Sequence, residues 1–426
     1  MQARKRIAVI GAGISGMAAA YRLAQDHDVT LYEAEGRLGG HARTRQAGPR
    51  GDQTVDTGFI VFNYATYPHL TALFAELDVP VTPSNMSWGA SFKGGALEYG
   101  LANLDTIFAQ RRNAVSPRFL RMIRDILRFN ARAMEASADP DLTIGGLIDN
   151  LGLSDGFRDL YLLPFSGAIW STPTEKILDF PAAAMVRFFR NHGLLHHTGQ
   201  HQWWTVQGGS VAYVARLEQA MRRAGVTIRL NAPMAGVRRT PRGVELRAFG
   251  AEWELHDDVV FATHSDTTLA LLTDATPDEQ RLLGAIAYQP NRITLHSDPS
   301  IMPKRRKVWS SWTYTEGPTK STDCIDLSYW MNSLQPWLTD MDLFITLNAT
   351  RPIREDLIWD EVNLHHPVFD RAALAAQEEI TLINGENRTW FCGAWMRNGF
   401  HEDGIHSAMN VVDAIRARVD LKVAAE

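Results

Sequence analysis

Three glycines near the start of the chain have the spacing of a turn that receives a dinucleotide pyrophosphate. Gly11, Gly13 and Gly16 form the pattern G-x-G-x-x-G. Its first glycine permits a tight bend, its second lets phosphate oxygens approach the backbone, and its third lets a helix pack closely on a sheet. Glu33 lies seventeen positions after Gly16, where a carboxylate accepts hydrogen bonds from ribose hydroxyls and repels a 2′-phosphate. The spacing therefore predicts a dinucleotide site for which NADP is a poor ligand.

The elements that must position these residues are a strand, a helix and a second strand. Residues 5–10 form a short apolar run that ends at the glycine turn, as a buried parallel strand does. Apolar residues then recur at helical intervals over 17–24, and 29–32 form a second apolar run. The start of the helix offers free N–H groups and the positive end of its dipole to phosphates. We predict a Rossmann-type βαβ unit here.

The loop that follows resembles a family signature. Residues 35–44 read EGRLGGHART, which is similar to the R-x-G-G-R-x-x-T motif of the flavin-containing amine oxidase and phytoene desaturase superfamily. His41 stands in place of the second arginine of the motif. In the family this loop runs along the pyrophosphate and ribityl chain of FAD, so the resemblance implies FAD as the cofactor. The matching residues are Arg37, Gly39, Gly40 and Thr44.

Further resemblances extend along the chain. DTGF at 56–59 resembles the D-x-G element that approaches the flavin ring, and 228–234 resemble a strand that brackets the adenine. TWFCG at 389–393 resembles the late strand of these flavoproteins, and GFHEDG at 399–404 precedes a last helix whose first N–H groups face the flavin in the family. These elements follow the order of the family, so the resemblance covers the whole length.

The resemblance also implies which residues contact FAD and how it is held. Cys392 falls inside a predicted strand, a poor place for a covalent link, so we expect non-covalent FAD. The expected cofactor-binding residues are Gly11, Gly13, Ile14, Ser15, Gly16, Glu33, Ala34, Arg37, Gly39, Gly40, His41, Thr57, Gly58, Phe59, Met234, Gly393, Glu402, Gly404 and Ile405.

The predicted fold class is α/β, with a Rossmann-type FAD-binding domain and an inserted α+β substrate domain. The FAD-binding domain is expected to be discontinuous, built from 1–80, 205–275 and 385–426. The substrate domain is then built from 81–204 and 276–384. The active site is expected between the two.

The residues that contact an amine substrate in many members of this family are replaced in this chain. Many amine oxidases of this family carry a lysine that holds a water at flavin N5, whereas the corresponding strand at 287–296 has none. Counting back from Gly404 puts His401 at the position of a cage tyrosine. Because a histidine is a poor aromatic wall for an ammonium group, the sequence disfavours an amine substrate.

His401 and Glu402 are the candidate catalytic bases, His401 first, because the resemblance puts it over the flavin. The hypothesis is that a hydride passes from an allylic carbon to flavin N5 while the base removes a proton from the neighbouring carbon. The predicted walls of an apolar substrate pocket are Phe59, Trp170, Trp330 and Phe400.

Three segments indicate contact with lipid. Residues 116–134 carry a stripe of arginines beside apolar side chains, 302–312 place four cations before two tryptophans, and 180–195 mix phenylalanine with arginine. Such patterns are typical of protein segments that bind an anionic membrane surface. They also occur in helices and turns that pack on their own domain with one face in solvent. The expected partners are an acyl lipid substrate and, peripherally, an anionic membrane.

Within the superfamily the chain resembles a bacterial branch of predicted NAD/FAD-binding proteins. The resemblance rests on DTGFIVFN at 56–63, GAIWSTP at 167–173, LHSDPSIMPKRR at 295–306 and GFHEDG at 399–404. One function in this neighbourhood is desaturation of a methyl-branched unsaturated acyl chain in furan fatty acid synthesis, and the resemblance implies that function. A flavin-dependent fatty acid double-bond isomerase, an oxidase of an amine or tetrapyrrole, and a non-catalytic flavoprotein are the alternatives.

The composition bounds these hypotheses. The net charge of -5 over 426 residues argues against a nucleic-acid partner. Cys324 and Cys392 are the two cysteines, which fits a reducing compartment without excluding a bridge. Four histidines over 192–201 have no carboxylate or thiol among them, so no metal is expected. Without a signal peptide or spanning segment, we expect a cytoplasmic protein, peripheral on the inner membrane face, with a homodimer as one open oligomeric state.

Overall fold

The structure is a computed structural model that describes residues 4–139, 141–170, 174–195, 201–317 and 325–424. Cys324, His196 and His197 lie outside the described residues, so the structure does not test the cysteine bridge or the complete histidine run. No helix of the described ranges is both long and apolar enough to cross a bilayer.

The strands follow in chain order. They are β1 (Arg6–Ile10), β2 (Asp28–Tyr32), β3 (Thr44–Ala47), β4 (Gln53–Asp56), β5 (Val61–Phe62), β6 (Val81–Ser84), β7 (Trp88–Phe92), β8 (Leu97–Gly100), β9 (Trp203–Val206), β10 (Thr227–Arg229), β11 (Met234–Thr240), β12 (Gly243–Ala248), β13 (Glu254–His256), β14 (Asp258–Phe261), β15 (Tyr288–His296), β16 (Trp312–Thr315), β17 (Leu327–Trp330), β18 (Phe344–Leu347), β19 (Ile358–Pro367) and β20 (Thr389–Phe391).

The α-helices are interleaved with these strands. They are α1 (Ile14–Leu23), α2 (Pro68–Glu76), α3 (Leu104–Ile107), α4 (Pro117–Ala136), α5 (Ile144–Asn150), α6 (Asp155–Phe157), α7 (Leu163–Trp170), α8 (Ala182–Asn191), α9 (Val211–Arg223), α10 (Ser265–Leu271), α11 (Pro277–Gly284), α12 (Met331–Leu334), α13 (Arg371–Ile383) and α14 (His401–Ala424).

A five-stranded parallel sheet forms the Rossmann-type core, in the order β10-β2-β1-β14-β20. Its strands come from three separate stretches of sequence, and each stretch lies within a segment assigned above to the cofactor domain. The chain leaves β1 toward β2 and later returns on the other side as β14. A crevice therefore opens beyond the carboxyl end of β1, where ligands of such sheets bind.

Both faces of this sheet are covered, as a parallel sheet requires. Ile7 and Val9 point into a core shared with α1, α2, α9 and α14. Ala8 and Ile10 point into a second core with β11, β12, α11 and α13. This alternation explains why 5–10 read as one continuous apolar run in the sequence.

A seven-stranded mixed sheet carries the other half of the molecule, in the order β19-β15-β18-β17-β16-β7-β8. Its apolar side chains join those of the helices α4, α5, α7 and α8 in one large core. A small sheet, β5-β9-β6, crosses the expected domain boundaries at 80 and 204. The two halves are therefore joined by paired backbone as well as by packed side chains.

The single strand expected at 228–234 is two strands. β10 ends at Arg229 and β11 begins at Met234, and each belongs to a different sheet. The break follows from local chemistry, because Asn231 adopts φ +51° and Pro233 has no N–H for a ladder. The amide of Ala232 donates to the carbonyl of Glu33 at 2.8 Å, which holds this turn beside the end of β2.

Candidate functional site

The three glycines of the turn at the end of β1 have different surroundings: two are tightly packed and one faces open space. Gly11 adopts φ +97°, and a Cβ on Gly16 would lie 1.8 Å from the carbonyl oxygen of Gly11. A Cβ on Gly13 would meet no protein atom within 4 Å. Packing within the protein therefore demands Gly11 and Gly16 but does not demand Gly13. An open cradle of this kind fits close approach of a phosphate.

The first turn of α1 points its N–H groups at this cradle. Gly13 is the N-cap and provides no side-chain acceptor, so the leading amides have no partner within the helix. The side chains of Ile14 and Ser15 are buried, which leaves backbone N–H groups to face a ligand. The helix dipole adds positive potential there, so the turn is built for an anion.

Glu33 closes β2 beside the same turn. Its carboxylate accepts hydrogen bonds from the amide of Ala12 at 2.7 Å and from the amide of Glu35 at 2.9 Å. Two backbone donors fix the side chain, while its partial exposure leaves it open to a ligand. Ala34 is exposed beside it. This arrangement fits the ribose-binding carboxylate predicted from the sequence.

The loop at 37–41 packs on the glycine turn. The guanidinium of Arg37 donates to the carbonyl of Gly40 at 2.9 Å and pairs with Glu35 at 2.9 Å. Gly39 adopts φ +107°, and its amide donates to the carbonyl of Ala12 at 2.8 Å. A Cβ on Gly40 would lie 3.0 Å from the Cα of Gly13. The loop therefore packs directly on the glycine turn and lengthens the cradle.

Asp56, the first residue of the DTGF segment at 56–59, connects that segment to both the cofactor half and the substrate half of the molecule. Its buried carboxylate accepts from Thr44 at 2.6 Å, from the amide and hydroxyl of Ser210, and from the side chain of Gln335 at 2.7 Å. Burial raises the pKa of Asp56 to about 6. The sequence indicated Asp56 by resemblance, but Ser210 and Gln335 carried no signal that tied them to it.

Thr57, Gly58 and Phe59 follow this anchor across the loop. The amide of Phe59 donates to the carbonyl of His41 at 2.9 Å, and a Cβ on Gly58 would lie 2.0 Å from that carbonyl oxygen. The hydroxyl of Thr57 contacts the guanidinium of Arg43 at 3.0 Å. The two backbone segments therefore touch at a position where only glycine fits.

His41 belongs to a histidine cluster that the sequence did not predict. Its ring centroid lies 5.9 Å from that of His264 and 5.8 Å from that of His366. Burial, reinforced by the neighbouring imidazoles, lowers the pKa of His41 to about 3, and burial lowers the pKa of His366 to about 4. The rings are therefore uncharged at neutral pH. The three residues lie on separate segments, so their meeting depends on tertiary structure.

His401, the first residue of α14, is held by two aromatic side chains. Its imidazole stacks on the ring of Phe59 with centroids 3.8 Å apart and planes 13° apart. Its Nε2 lies 2.9 Å from the hydroxyl oxygen of Tyr213. Burial lowers the pKa of His401 to about 3, so the ring is neutral at pH 7. The sequence did not indicate Tyr213, which lies in the first turn of α9, three residues after Ser210.

Glu402 points away from His401 and caps another helix. Its two carboxylate oxygens accept from the amides of His69 at 3.1 Å and Leu70 at 3.0 Å in the first turn of α2. Burial raises the pKa of Glu402. Both oxygens are engaged, so the structure gives Glu402 a structural task. His401 is therefore the stronger of the two predicted bases.

The starts of α14 and α1 lie side by side. A Cβ on Gly404 would lie 2.8 Å from the hydroxyl of Ser15 and 3.0 Å from the side chain of Ile14. Ile405 is buried behind this contact. Glycine at 404 therefore lets two helix N-termini converge on one region, and their dipoles favour negative charge there.

The remaining predicted cofactor residues lie near the ends of neighbouring strands. Gly393 follows β20, and its amide donates to the hydroxyl of Ser407 at 2.9 Å. Met234 begins β11 and is buried against the sheet. Cys392 is fully buried, and burial raises the pKa of its thiol to about 12, so it is a poor nucleophile for a covalent cofactor link.

Two of the four predicted pocket residues, Trp170 and Phe400, come together. The ring of Phe400 stacks on Phe188 at 5.4 Å, and the ring of Trp170 lies 4.9 Å from the same Phe188. Phe59 stacks on His401, the sequence neighbour of Phe400. A shallow, partly open cleft with a cavity volume of about 30 Å³ lies beside these rings; it is lined by Trp170, Phe180, Pro181, Ala184, Met185, Phe188, Phe369, Leu374, Arg397 and Asn398.

Trp330 lies elsewhere. Its indole N–H donates to Asp342 at 3.0 Å, its ring contacts Trp309 at 5.8 Å, and the guanidinium of Arg306 lies over it at 5.5 Å. These contacts hold the half-buried Trp330, at the end of β17, against the basic turn at 304–307 and give its indole N–H an acceptor. None of the contacts described for Trp330 reaches the other three pocket residues.

No cluster of three or more potential ligands for a metal ion occurs among the described residues. The donor set of the site is instead one of backbone amides, glycine cradles and a fixed carboxylate. That set suits the phosphates and ribose of a dinucleotide. These residues fit the cofactor that the sequence predicts.

Comparisons with known proteins agree with this geometry. Residues 14–367 match the family model described as flavin containing amine oxidoreductase. The chain is 56% identical over 41 residues to protoporphyrinogen oxidase 2 of Arabidopsis thaliana, which is 9% of this chain and 8% of that enzyme. The curated relatives that it matches are thus covered over less than a fifth of their length.

Solved structures share the complete fold at low sequence identity. A CLA-producing fatty acid isomerase from P. acnes has a TM-score of 0.68 and 15% identity, over 96% of this chain and 98% of that one. Cyclohexylamine oxidase from Brevibacterium oxydans has a TM-score of 0.66 and 16% identity, over 98% of this chain and 100% of that one. The family match spans most of the chain, and the fold and the site agree with it. This chain belongs to the flavin-containing amine oxidoreductase family, whose members use a flavin cofactor.

Proposed function

We propose that the protein is an FAD-dependent desaturase that removes two hydrogens from a methyl-branched unsaturated acyl chain of a phospholipid. The observation that carries the proposal is a set of contacting rings that extends from the open cleft to Phe400, the residue before the candidate base. Trp170 contacts Phe188, Phe188 stacks on Phe400, and His401 follows Phe400. Aromatic and aliphatic walls of this kind suit an alkyl chain.

The cleft supports an acyl substrate that bears an anionic head. Its walls are apolar over most of their length, and Arg397 lies at its edge with an exposed side chain. The nearest acid is Asp403, whose carboxylate lies 3.8 Å from the guanidinium. Burial raises the pKa of Asp403 to about 6. The guanidinium is therefore placed to meet a carboxylate or phosphate while the chain occupies the apolar part.

Two features speak against a small amine. β15 carries no lysine between Tyr288 and His296. His401 occupies the expected cage position, and one face of its ring is covered by Phe59. A cation would meet a stacked imidazole there and not a pair of open aromatic faces.

Within the proposal, FAD is held non-covalently by the glycine turn, Glu33, the 37–41 loop and the start of α14, and it supplies the acceptor for an allylic hydride. Departure of the hydride makes the neighbouring C–H strongly acidic, so a weak base is sufficient to remove its proton. His401 accepts that proton at Nδ1. For Nδ1 to have a free lone pair, Nε2 must carry hydrogen, and the hydroxyl oxygen of Tyr213 is placed to accept it at 2.9 Å.

A fatty acid double-bond isomerase is the second candidate. It is favoured by the shared fold of the CLA-producing isomerase from P. acnes. An isomerase would need the same apolar cleft and the same neutral imidazole, but it would return the hydride to the substrate. The two candidates therefore differ in the hydrogen count of the product.

The test uses the purified holoenzyme without oxygen and phospholipid vesicles that contain methyl-branched monounsaturated chains. Loss of flavin absorbance near ~450 nm is expected, because the two electrons have no other acceptor. His401→Phe should slow the bleaching, and Trp330→Phe should leave it unchanged. An oxidised spectrum that persists with these lipids, but bleaches with a small amine or a porphyrinogen, would overturn the proposal.

A further inference from the structure

We propose that one face of the substrate half docks onto an anionic phospholipid bilayer. The face is built from α3, the turn Arg111–Val115, the outer side of α4, and the basic turn at 304–307; we call it the basic face. The inference does not rest on the proposed function, because it concerns where the protein binds and not what it oxidises.

The outer side of α4 carries an apolar ridge that faces solvent. Leu120, Leu127 and Met134 are 43%, 51% and 38% exposed, and their spacing of seven residues places them along one line of the helix. The opposite side of α4 is buried through residues such as Met122 and Phe129. The helix therefore already has its core contacts, and packing within the described chain does not account for the exposed ridge.

A stripe of arginines runs along the same helix, and Arg124 and Arg128 are its members nearest to this ridge. Arg121 and Arg124 both lie near Asp125. Arg118, Arg128 and Arg132 are exposed, and none of them has an acidic partner within the described ranges. An apolar line with cations beside it is the surface that a helix presents when it lies in the headgroup region of an anionic membrane.

The fold brings a second basic segment to this face. Asp105, in α3, accepts from Arg111 at 2.7 Å and from Lys307 at 2.8 Å. Glu98, in β8, pairs with Arg305 at 2.7 Å. Two segments just over two hundred positions apart in sequence are thus held together by ion pairs, which bring their basic side chains to one surface.

Further apolar side chains extend the same face. Leu104 is 73% exposed and Val115 is 80% exposed, on the two short segments that precede α4. Half of the ten large apolar side chains that are most exposed in the described chain lie between 104 and 134. Exposed apolar side chains concentrated in one place mark an interaction surface.

The positive charge of the basic face favours a bilayer over a second copy of the chain as its binding partner. Pairing of this face with itself would bring arginine against arginine, because a two-fold interface uses the same patch on both partners. An anionic headgroup layer offers the opposite charge, and the leucines can enter the acyl boundary. The protein as a whole carries a net charge of -5, so attraction to an anionic surface requires a localised basic patch of this kind.

The test measures co-sedimentation of the holoenzyme with phosphatidylcholine vesicles, with and without phosphatidylglycerol. Binding is expected only with phosphatidylglycerol, and it should weaken as salt rises. R128Q with R132Q should reduce binding about 25-fold, since each cation near such a surface contributes about fivefold. L120Q with L127Q should also reduce it, because the apolar insertion is lost.

The matched control variants replace exposed side chains that lie outside the basic face. L382Q on α13 and R223Q on α9 should bind as the parent protein does, and all variants should melt at the parent temperature, since the changed side chains are exposed. Equal binding to both vesicle types, or unchanged binding of both double variants, would overturn the proposal. A dimer in solution that L120Q with L127Q dissociates, without vesicle binding, would show that a second copy covers this face.

Discussion

The imidazole of His401 lies face to face with the ring of Phe59, their centroids 3.8 Å apart. One residue starts the last helix and the other follows β4, more than three hundred positions earlier. The stack therefore joins the two ends of the cofactor half. Together with the contact between Nε2 and the hydroxyl of Tyr213, it fixes the plane and the orientation of the ring of the proposed base.

Removing the hydroxyl of Tyr213 should show whether this residue orients the ring of His401 or only packs in the core. Tyr213→Phe keeps the ring in its core but deletes the 2.9 Å contact with His401, at a cost of about 1 kcal/mol in unfolding free energy. We expect anaerobic flavin reduction to slow about tenfold while flavin binding is retained. Stopped-flow absorbance and a flavin titration measure the two effects.

Tyr21→Phe is the control, because its hydroxyl bonds to Glu76 on an exposed surface. It should leave the reduction rate unchanged. An equal loss in both variants, or none in Tyr213→Phe, would show that Tyr213 does not orient the ring of His401.

The glycine turn gives a paired test of the cofactor cradle. Gly13→Ala places its Cβ in open space, so its unfolding free energy without cofactor should change by less than about 1 kcal/mol, while FAD affinity falls by about tenfold or more. Gly16→Ala puts a Cβ 1.8 Å from the carbonyl of Gly11 and should cost about 3 kcal/mol in stability. Thermal melting with and without added FAD separates the two. Normal FAD affinity in Gly13→Ala would mean that the phosphates lie elsewhere.

A variant of Glu402 distinguishes a structural role in capping α2 from a role as the catalytic base. Glu402→Gln keeps an acceptor for the amides of α2 but loses the charge at the start of that helix, which should cost about 1 kcal/mol of stability. The rate of flavin reduction should stay within about twofold of the parent. Chemical denaturation and stopped-flow absorbance check this, and an inactive but stable variant would restore Glu402 as a base.

The buried His296 should make the protein sensitive to acid. Its Nδ1 accepts from the amide of Asp298 and its Nε2 lies 2.8 Å from the hydroxyl of Thr346, so the fold holds a neutral ring. Burial lowers its pKa from 6.5 to about 4. The folded state therefore resists protonation, and stability that is complete above pH 6.5 declines as pH falls toward 4, by about 3 kcal/mol from this residue.

Urea denaturation at several pH values tests this dependence. His296→Gln removes the titrating group and should give a flatter profile between pH 7 and pH 4, although it is less stable at pH 7. A variant with the same slope as the parent would show that other groups cause the acid sensitivity.

The sequence predicted the cofactor half well because its signals are local. Gly11, Gly13, Gly16 and Glu33 lie within one βαβ unit, where spacing along the chain fixes spacing in the fold. The single strand at 228–234 was wrong, because the family resemblance on which it rested did not show that Asn231 adopts a positive φ and ends the strand.

The rest of the site depends on contacts between distant segments. Tyr213 meets His401, and His264 and His366 meet His41, only after the sheets are assembled. Trp330 was predicted as a pocket wall from its residue type, yet its indole N–H required the acceptor that Asp342 provides. Aromatic residues in sequence therefore predicted a pocket without showing which of them line it.

The central claim is tested most directly by the mass of the acyl chains after a single anaerobic turnover. The holoenzyme is mixed with vesicles of methyl-branched monounsaturated phospholipid, and the chains are released and analysed by mass spectrometry. The account predicts chains that have lost two hydrogens, in amounts equal to the flavin reduced. Chains of unchanged mass with a moved double bond would contradict it and identify an isomerase.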